Sequence, residues 1–189
     1  MAGSNPDVVT AFSEEFASLR RLAERALAQV GDEPFFATLD QEANSLAVLV
    51  KHVGGNLRSR WTAFRTTDGE KPDRDRDGEF LAAGLSRREV EAIWASGWHA
   101  VEQAVGGLAA EELGATIHIR GEPTTIGRAL TRSLAHTAGH VHQIVLLARH
   151  WQGAAWQTLS VPRGQSEQFR QRMAARFDNG SKGPAESGR

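Results

Sequence analysis

Between residues 7 and 30 the apolar side chains Val8, Phe12, Phe16, Leu19, Leu22, Ala26, Leu27 and Val30 recur at steps of three and four, the stripe of an amphipathic helix. Gly31-Asp32-Glu33-Pro34 ends it, and Phe35, Phe36 and Leu39 predict an apolar connection tucked against the neighbouring elements. From 41 to 64 the same stepping returns in Leu46, Leu49, Val50, Val53, Leu57, Trp61 and Phe64, so a second helix is predicted there, carrying His52 and Asn56. Gly54-Gly55 interrupts it. Two glycines inside a helix cost roughly 1 kcal/mol each against alanine. A compensating feature is therefore expected: close approach of another backbone, room for a ligand beside His52, or else a kink or a tight helix contact.

Residues 66–85 break the pattern. They are dominated by alternating charges, from Asp68-Gly69-Glu70-Lys71 to Asp77-Gly78-Glu79, and read as a solvated loop. A loop this long inside a compact domain is often functional, and a lid over a site beside His52 is the sharper reading. Ser86-Arg87-Arg88-Glu89 is a capping box that starts a third helix, with Val90, Ile93, Trp94, Trp98, Val101, Val105 and Leu108 as its stripe and Gly106-Gly107 as its stop. Thr116-Ile117-His118-Ile119 alternates with period two and predicts a short strand or extended crossover, with His118 on the polar side. Thr124 or Thr125 then caps a fourth helix running to about Trp151, where Gly153 stops it. Phe169, Met173 and Phe177 place a short helix over 163–176. The expected fold is all-α: a four-helix bundle with a short extended crossover between helices three and four and a short C-terminal helix, one domain over 1–177 and a flexible tail over 178–189.

Composition narrows the chemistry. The formal net charge of -1 gives no broad basic surface for phosphates, so nucleic acid is not expected as a partner. The start lacks a basic region followed by an apolar block, and no stretch approaches the roughly 20 apolar residues of a membrane span, so a cytoplasmic protein without a membrane partner is expected. With no cysteine among 189 residues, strong metal ligands are limited to histidine and carboxylate.

Within the fourth helix, His136-x3-His140 puts two imidazoles one turn apart on one face, about 6 Å along the axis, near enough to reach one ion. Seven histidines in 189 residues make such a pair unremarkable by itself, and Thr137 after His136 rules out an HExxH protease motif. Two imidazoles do not complete a first shell for zinc or nickel; the best-placed third donor is His52 on the second helix. His99 is a weaker candidate, and His118, His142 and His150 are left out of the site.

His52 with its surroundings Lys51-His52-Val53-Gly54-Gly55-Asn56-Leu57-Arg58-Ser59-Arg60-Trp61, the loop segment Thr66-Thr67-Asp68-Gly69-Glu70-Lys71, and His136-x3-His140-x2-Gln143-Ile144 together resemble the DinB-like superfamily, the YfiT-type metal-binding four-helix bundles. The similarity covers residues 12–151 and points to a subfamily of unassigned function. It implies a divalent metal, zinc or nickel, held by His52, His136 and His140 with open positions, and a homodimer. Members with assigned activity include thiol-dependent transferases and isomerases that use low-molecular-weight thiols.

An open site of this kind suits a hydroxide or a thiolate nucleophile, so a metal-dependent transferase or hydrolase acting on a small molecule is expected. Asn56 or Gln143, each within a turn of a ligand, would orient the substrate or a water, and Arg74 and Arg76 on the loop would bind an anionic substrate group. The alternative is a non-catalytic bundle in which the metal only ties helix two to helix four, in a structural or interaction protein. A further alternative has no metal, with the histidines as polar residues at a helix seam or dimer surface.

Overall fold

The computed structural model describes the backbone of residues 8–181 and the side chains of residues 8–176. The chain forms two compact units, residues 1–156 and 157–189. The first unit holds four long helices, α1 (Val8–Leu27), α3 (Leu46–Trp61), α4 (Arg87–Gly106) and α5 (Ile126–Gln152), with a short α2 (Asp32–Phe36) between the first two. Pairs α3 and α4, α3 and α5, α1 and α5, and α1 and α4 all touch, so the four long helices close into a bundle. None of the described helices is long and apolar enough to cross a membrane.

The stripes read from sequence become the core. Phe16, Leu57, Trp98, Val101, Leu130, Val141 and Ile144 are buried almost completely. Trp61 reaches across the bundle, its indole Nε1 donating to Ser133 Oγ over 3.1 Å, which fixes α3 against α5. Two caps start helices where expected, at Ser86 and Thr125, while α3 begins at Leu46 behind Ser45 and ends at Trp61, inside the expected 41–64. Ser45 Oγ accepts from the Val48 amide, Ser86 and Glu89 form the full capping box, and the Thr125 side chain accepts from the Arg128 amide. Gly153 ends α5 with φ of 52°, a conformation that a side chain would strain.

The close backbone approach anticipated for Gly54-Gly55 exists at Gly54, while the space at Gly55 is taken by a side chain of the protein itself. A Cβ on Gly54 would lie 2.6 Å from the backbone oxygen of Ile93, and one on Gly97 would strike Gly54 itself, so this glycine pair is where α3 and α4 cross at backbone contact. A Cβ on Gly55 would sit 2.5 Å from Glu79 Oε1, so its hydrogen makes room for a carboxylate arriving from the loop.

Two local readings are corrected. Leu39 is half exposed and not tucked in, whereas Phe35 of α2 is fully buried with the Arg87 guanidinium 4.8 Å from its ring centroid. The extended crossover is a hairpin: β1 (Thr116–Ile119) pairs antiparallel with β2 (Glu122–Thr125), Ile119 opposite Glu122. Its two-residue turn places Arg120 at φ 59° and Gly121 at φ 75°, the paired positive values of a type I′ turn. Arginine is unusual there, and Asp68 compensates by accepting from the Arg120 and Gly121 amides at 2.7 Å each. That carboxylate belongs to the charged loop, which also donates from Gly69 N to His118 O. The loop is therefore fastened to the hairpin by backbone and side-chain bonds together. In the second unit α6 (Ser166–Ser181) runs past residue 178, where the tail was expected to begin; residues 182–189 lie outside those described.

Candidate metal centre

His52 comes to the site from the middle of α3, and His136 and His140 from two successive turns of α5. The α5 pair flanks the buried line Ser133, Thr137 and Val141, so both rings lie half-buried at the seam where α5 meets α3. His52 is buried outright. Packing of these two apolar stripes, far apart in sequence, brings the rings together.

The His136 Nε2 atom lies 3.2 Å from His140 Nε2 and 3.4 Å from His52 Nε2. One nitrogen from each of the three rings falls in a group whose atoms are all within 4.8 Å of one another, and such a group could hold a metal ion. Two metal–nitrogen bonds of about 2.0–2.1 Å at a tetrahedral angle separate their nitrogens by roughly 3.3–3.4 Å, so the two spacings measured from His136 Nε2 fit a divalent ion such as zinc.

Hydrogen bonds on the far side of two rings set their tautomers. His52 Nδ1 donates to Glu79 Oε2 at 2.9 Å, and His140 Nδ1 donates to Gln143 Oε1 at 2.8 Å. In its neutral form each ring thus keeps its proton on Nδ1 and turns a bare Nε2 inward. Only His136 can bring an N–H to the centre. One proton cannot serve two nitrogen contacts, so a lone pair still faces a lone pair unless a cation lies among them. Burial, then the neighbouring charges of His140 and His52, lowers the His136 pKa to about 4, and burial also lowers that of His140. At neutral pH both are uncharged, the state in which an imidazole binds a metal.

Glu79 is the residue that the sequence did not single out. Burial opposes its ionisation, but hydrogen bonds from Arg74 and His52 outweigh this and hold its carboxyl below the usual range. Arg74 binds it in bidentate fashion through one edge, Nε to Oε1 and Nη2 to Oε2, each at 2.7 Å, and reaches Glu70 with Nη1 at 3.2 Å. The chain Glu70, Arg74, Glu79, His52 is thus a line of alternating charge ending on a ring nitrogen, nearly all of it out of solvent. Lys51 anchors the same stretch by donating to the carbonyls of Gly78 and Leu81, both at 2.7 Å. Phe80 stacks on His52 with centroids 4.7 Å apart. A signal for Glu79 did exist: Gly55 lies three residues after His52, hence on the same helical face, and a glycine there implies something large arriving beside the ring.

The other expected residues divide. Arg74, read as a partner for an anionic substrate, is engaged with Glu79 and Glu70. Gln143 holds His140. Asn56 and Arg76 line a cleft of about 140 Å³ that His52 and His136 also line, so these two sit where a substrate beside the histidines would meet them. His99, kept as a weaker candidate, and His118, His142 and His150 are exposed and stand apart from the cluster.

No curated protein matches the chain. A match of another kind spans most of it, since residues 5–165 fit a protein family described as of unknown function, and those residues contain all three histidines and Glu79. The chain, with its three-imidazole cluster, is a member of that family, DUF1572.

Proposed function

We propose that this chain is a divalent-metal protein of the DinB-like class and a metal-dependent enzyme, a thiol-dependent transferase or a hydrolase. The observation that carries the proposal is the convergence of three Nε2 atoms: Glu79 and Gln143 occupy the Nδ1 sides of His52 and His140 and turn their Nε2 atoms inward, 3.4 and 3.2 Å from His136 Nε2. A cleft beside the cluster favours a reactive role over a purely structural one, because His52 and His136 line it.

In this reading His52, His136 and His140 hold the ion, zinc or nickel. On three neutral imidazoles with positions left open, such an ion supplies Lewis acidity that brings a bound water or thiol towards a pKa of 7. The remaining work falls to the protein. Glu79 and Gln143 keep the His52 and His140 rings oriented and in the Nδ1–H tautomer. Phe80 covers one face of His52 and limits water there. Asn56 offers an amide to a polar group of the substrate in the cleft. A low-molecular-weight thiol as co-substrate and a homodimeric state belong to the same proposal.

The test is an activity assay on chelator-treated protein reloaded with zinc or nickel, scoring thiol transfer to an electrophile and ester hydrolysis, with His136→Ala as control. Turnover that returns with metal and is absent from the variant supports the enzyme. Metal that raises the melting temperature without turnover on any thiol or ester favours instead the non-catalytic bundle, in which the ion ties α3 to α5.

A further inference from the structure

The cleft beside the histidines has an unusual wall. Four arginines line it, Arg60 from α3, Arg76 from the charged loop, Arg120 from the hairpin turn and Arg132 from α5, together with Asn56 and Ser133. Among the described residues no carboxylate lines it. Glu70, which faces Arg60 and Arg120, is already bound by Arg74 and by Arg120 Nε at 3.2 Å, and Glu79 behind His52 is held by Arg74. Asp68 is spent on three backbone amides, those of Glu70, Arg120 and Gly121. Charge in a protein whose net charge is -1 has thus been sorted locally, with cations concentrated on one small concave surface.

Arg60 is the clearest sign that something is missing. Its Nη1 is buried and has no hydrogen-bond partner among the described residues. Burial lowers its pKa, and Arg74, Arg120 and Arg132 add to the repulsion that Glu70 only partly offsets. A guanidinium remains charged even so, and a buried charged donor without an acceptor is costly. Ser133 adds a neutral donor. Its oxygen accepts from Trp61, which leaves the hydroxyl proton for another acceptor.

We infer that this arginine-lined cleft is an oxyanion subsite, which seats a carboxylate or phosphate-type group of a small anionic substrate against the His52 and His136 rings. Guanidinium groups suit such oxyanions because their paired N–H donors match two oxygens at once. A cleft of about 140 Å³ admits a compact head group and excludes a polymer. The inference deepens the proposed function by assigning a substrate class to the same site, and it rests on that reading for the chemistry that follows binding. Anion binding itself is independent of whether a metal is present.

The experiment is isothermal titration of inorganic phosphate and of malonate into the full chain, with and without zinc, for wild type, Arg132→Gln, Arg60→Lys and Arg149→Gln. Arg132 and Arg149 are both exposed on α5, so neither change threatens folding, and Arg149 lies outside the cleft. Wild type should bind one anion per chain. Arg132→Gln should weaken it about tenfold or more, Arg60→Lys should weaken it less, and Arg149→Gln should leave it unchanged. Zinc content measured on the same samples should be equal in all four. Absence of saturable binding, or equal weakening by Arg132→Gln and Arg149→Gln, overturns the subsite. Arg132-dependent binding in a protein that takes up no zinc upholds the subsite while refuting the metal enzyme.

Discussion

Replacing Glu79 probes the centre through a residue that does not touch the ion. In Glu79→Ala the His52 Nδ1–H loses its acceptor, and Arg74, previously bound by two hydrogen bonds of 2.7 Å, is left as a nearly buried cation with only Glu70 at 3.2 Å. Removing one partner of a buried ion pair costs about 3–5 kcal/mol, because the other charge stays desolvated. For a domain of this size 1 kcal/mol corresponds to roughly 2–4 °C, so the metal-free variant should melt roughly 6–20 °C below wild type. A second effect is separate from stability. Without Glu79 the His52 ring is free to rotate or to carry its proton on Nε2, and loss of such an outer partner weakens metal binding about 10–100-fold.

Glu79→Gln separates the two effects. It retains one acceptor oxygen for His52 or Arg74 but no charge, so it should recover part of the stability and little of the affinity. Competition of zinc against a chromophoric chelator gives affinity, and thermal melts of chelator-treated protein give stability. Zinc affinity unchanged in both variants, at any melting temperature, would refute the claim that Glu79 orients His52.

Other substitutions test the supporting structure. Gly55→Ala gains helix propensity but drives a Cβ to 2.5 Å from Glu79 Oε1; zinc affinity should fall about tenfold or more while the metal-free protein stays folded by circular dichroism. Gly54→Ala meets backbone, 2.6 Å from the Ile93 oxygen, which cannot swing aside, so it should cost at least about 1–3 kcal/mol in denaturant melts. Asp68 has its carboxyl pKa lowered from 3.8 to about 2 by the amides it binds. Because the folded value is the lower one, its stabilisation is present above pH 4 and lost as pH falls towards 2; wild type should exceed Asp68→Asn in stability at pH 6, and urea melts across this range should show the gap closing in acid.

The sequence carried the helices because each has a stripe of correct period bounded by real punctuation: Ser86 with Glu89, Thr125 before Ile126, and Gly153 after Gln152. His136 and His140 were visible for the same reason, since helical spacing alone puts them on one face. His52 needed the family resemblance to join them with any weight, because nothing local to α3 says which helix it faces. The hairpin was only half legible. Its turn is Arg120-Gly121, not Asn-Gly, and what makes arginine tolerable there is Asp68, more than fifty residues away in sequence. Glu79 and Arg74 were obscured by their setting. In a loop of alternating charges any acid or base reads as solvated, and only the folded path of the loop shows that two of them are withdrawn from water and joined to His52. The four arginines of the cleft come from four separate elements, so no window of sequence contains the pattern.

The account turns on one ion shared by three rings from two helices. Its most direct test is the metal content of zinc-loaded, desalted wild type beside His52→Ala, His136→Ala and His140→Ala, each confirmed folded. One zinc per chain in wild type and little or none in every variant is the predicted result. Full retention of zinc by the His52→Ala protein would contradict it.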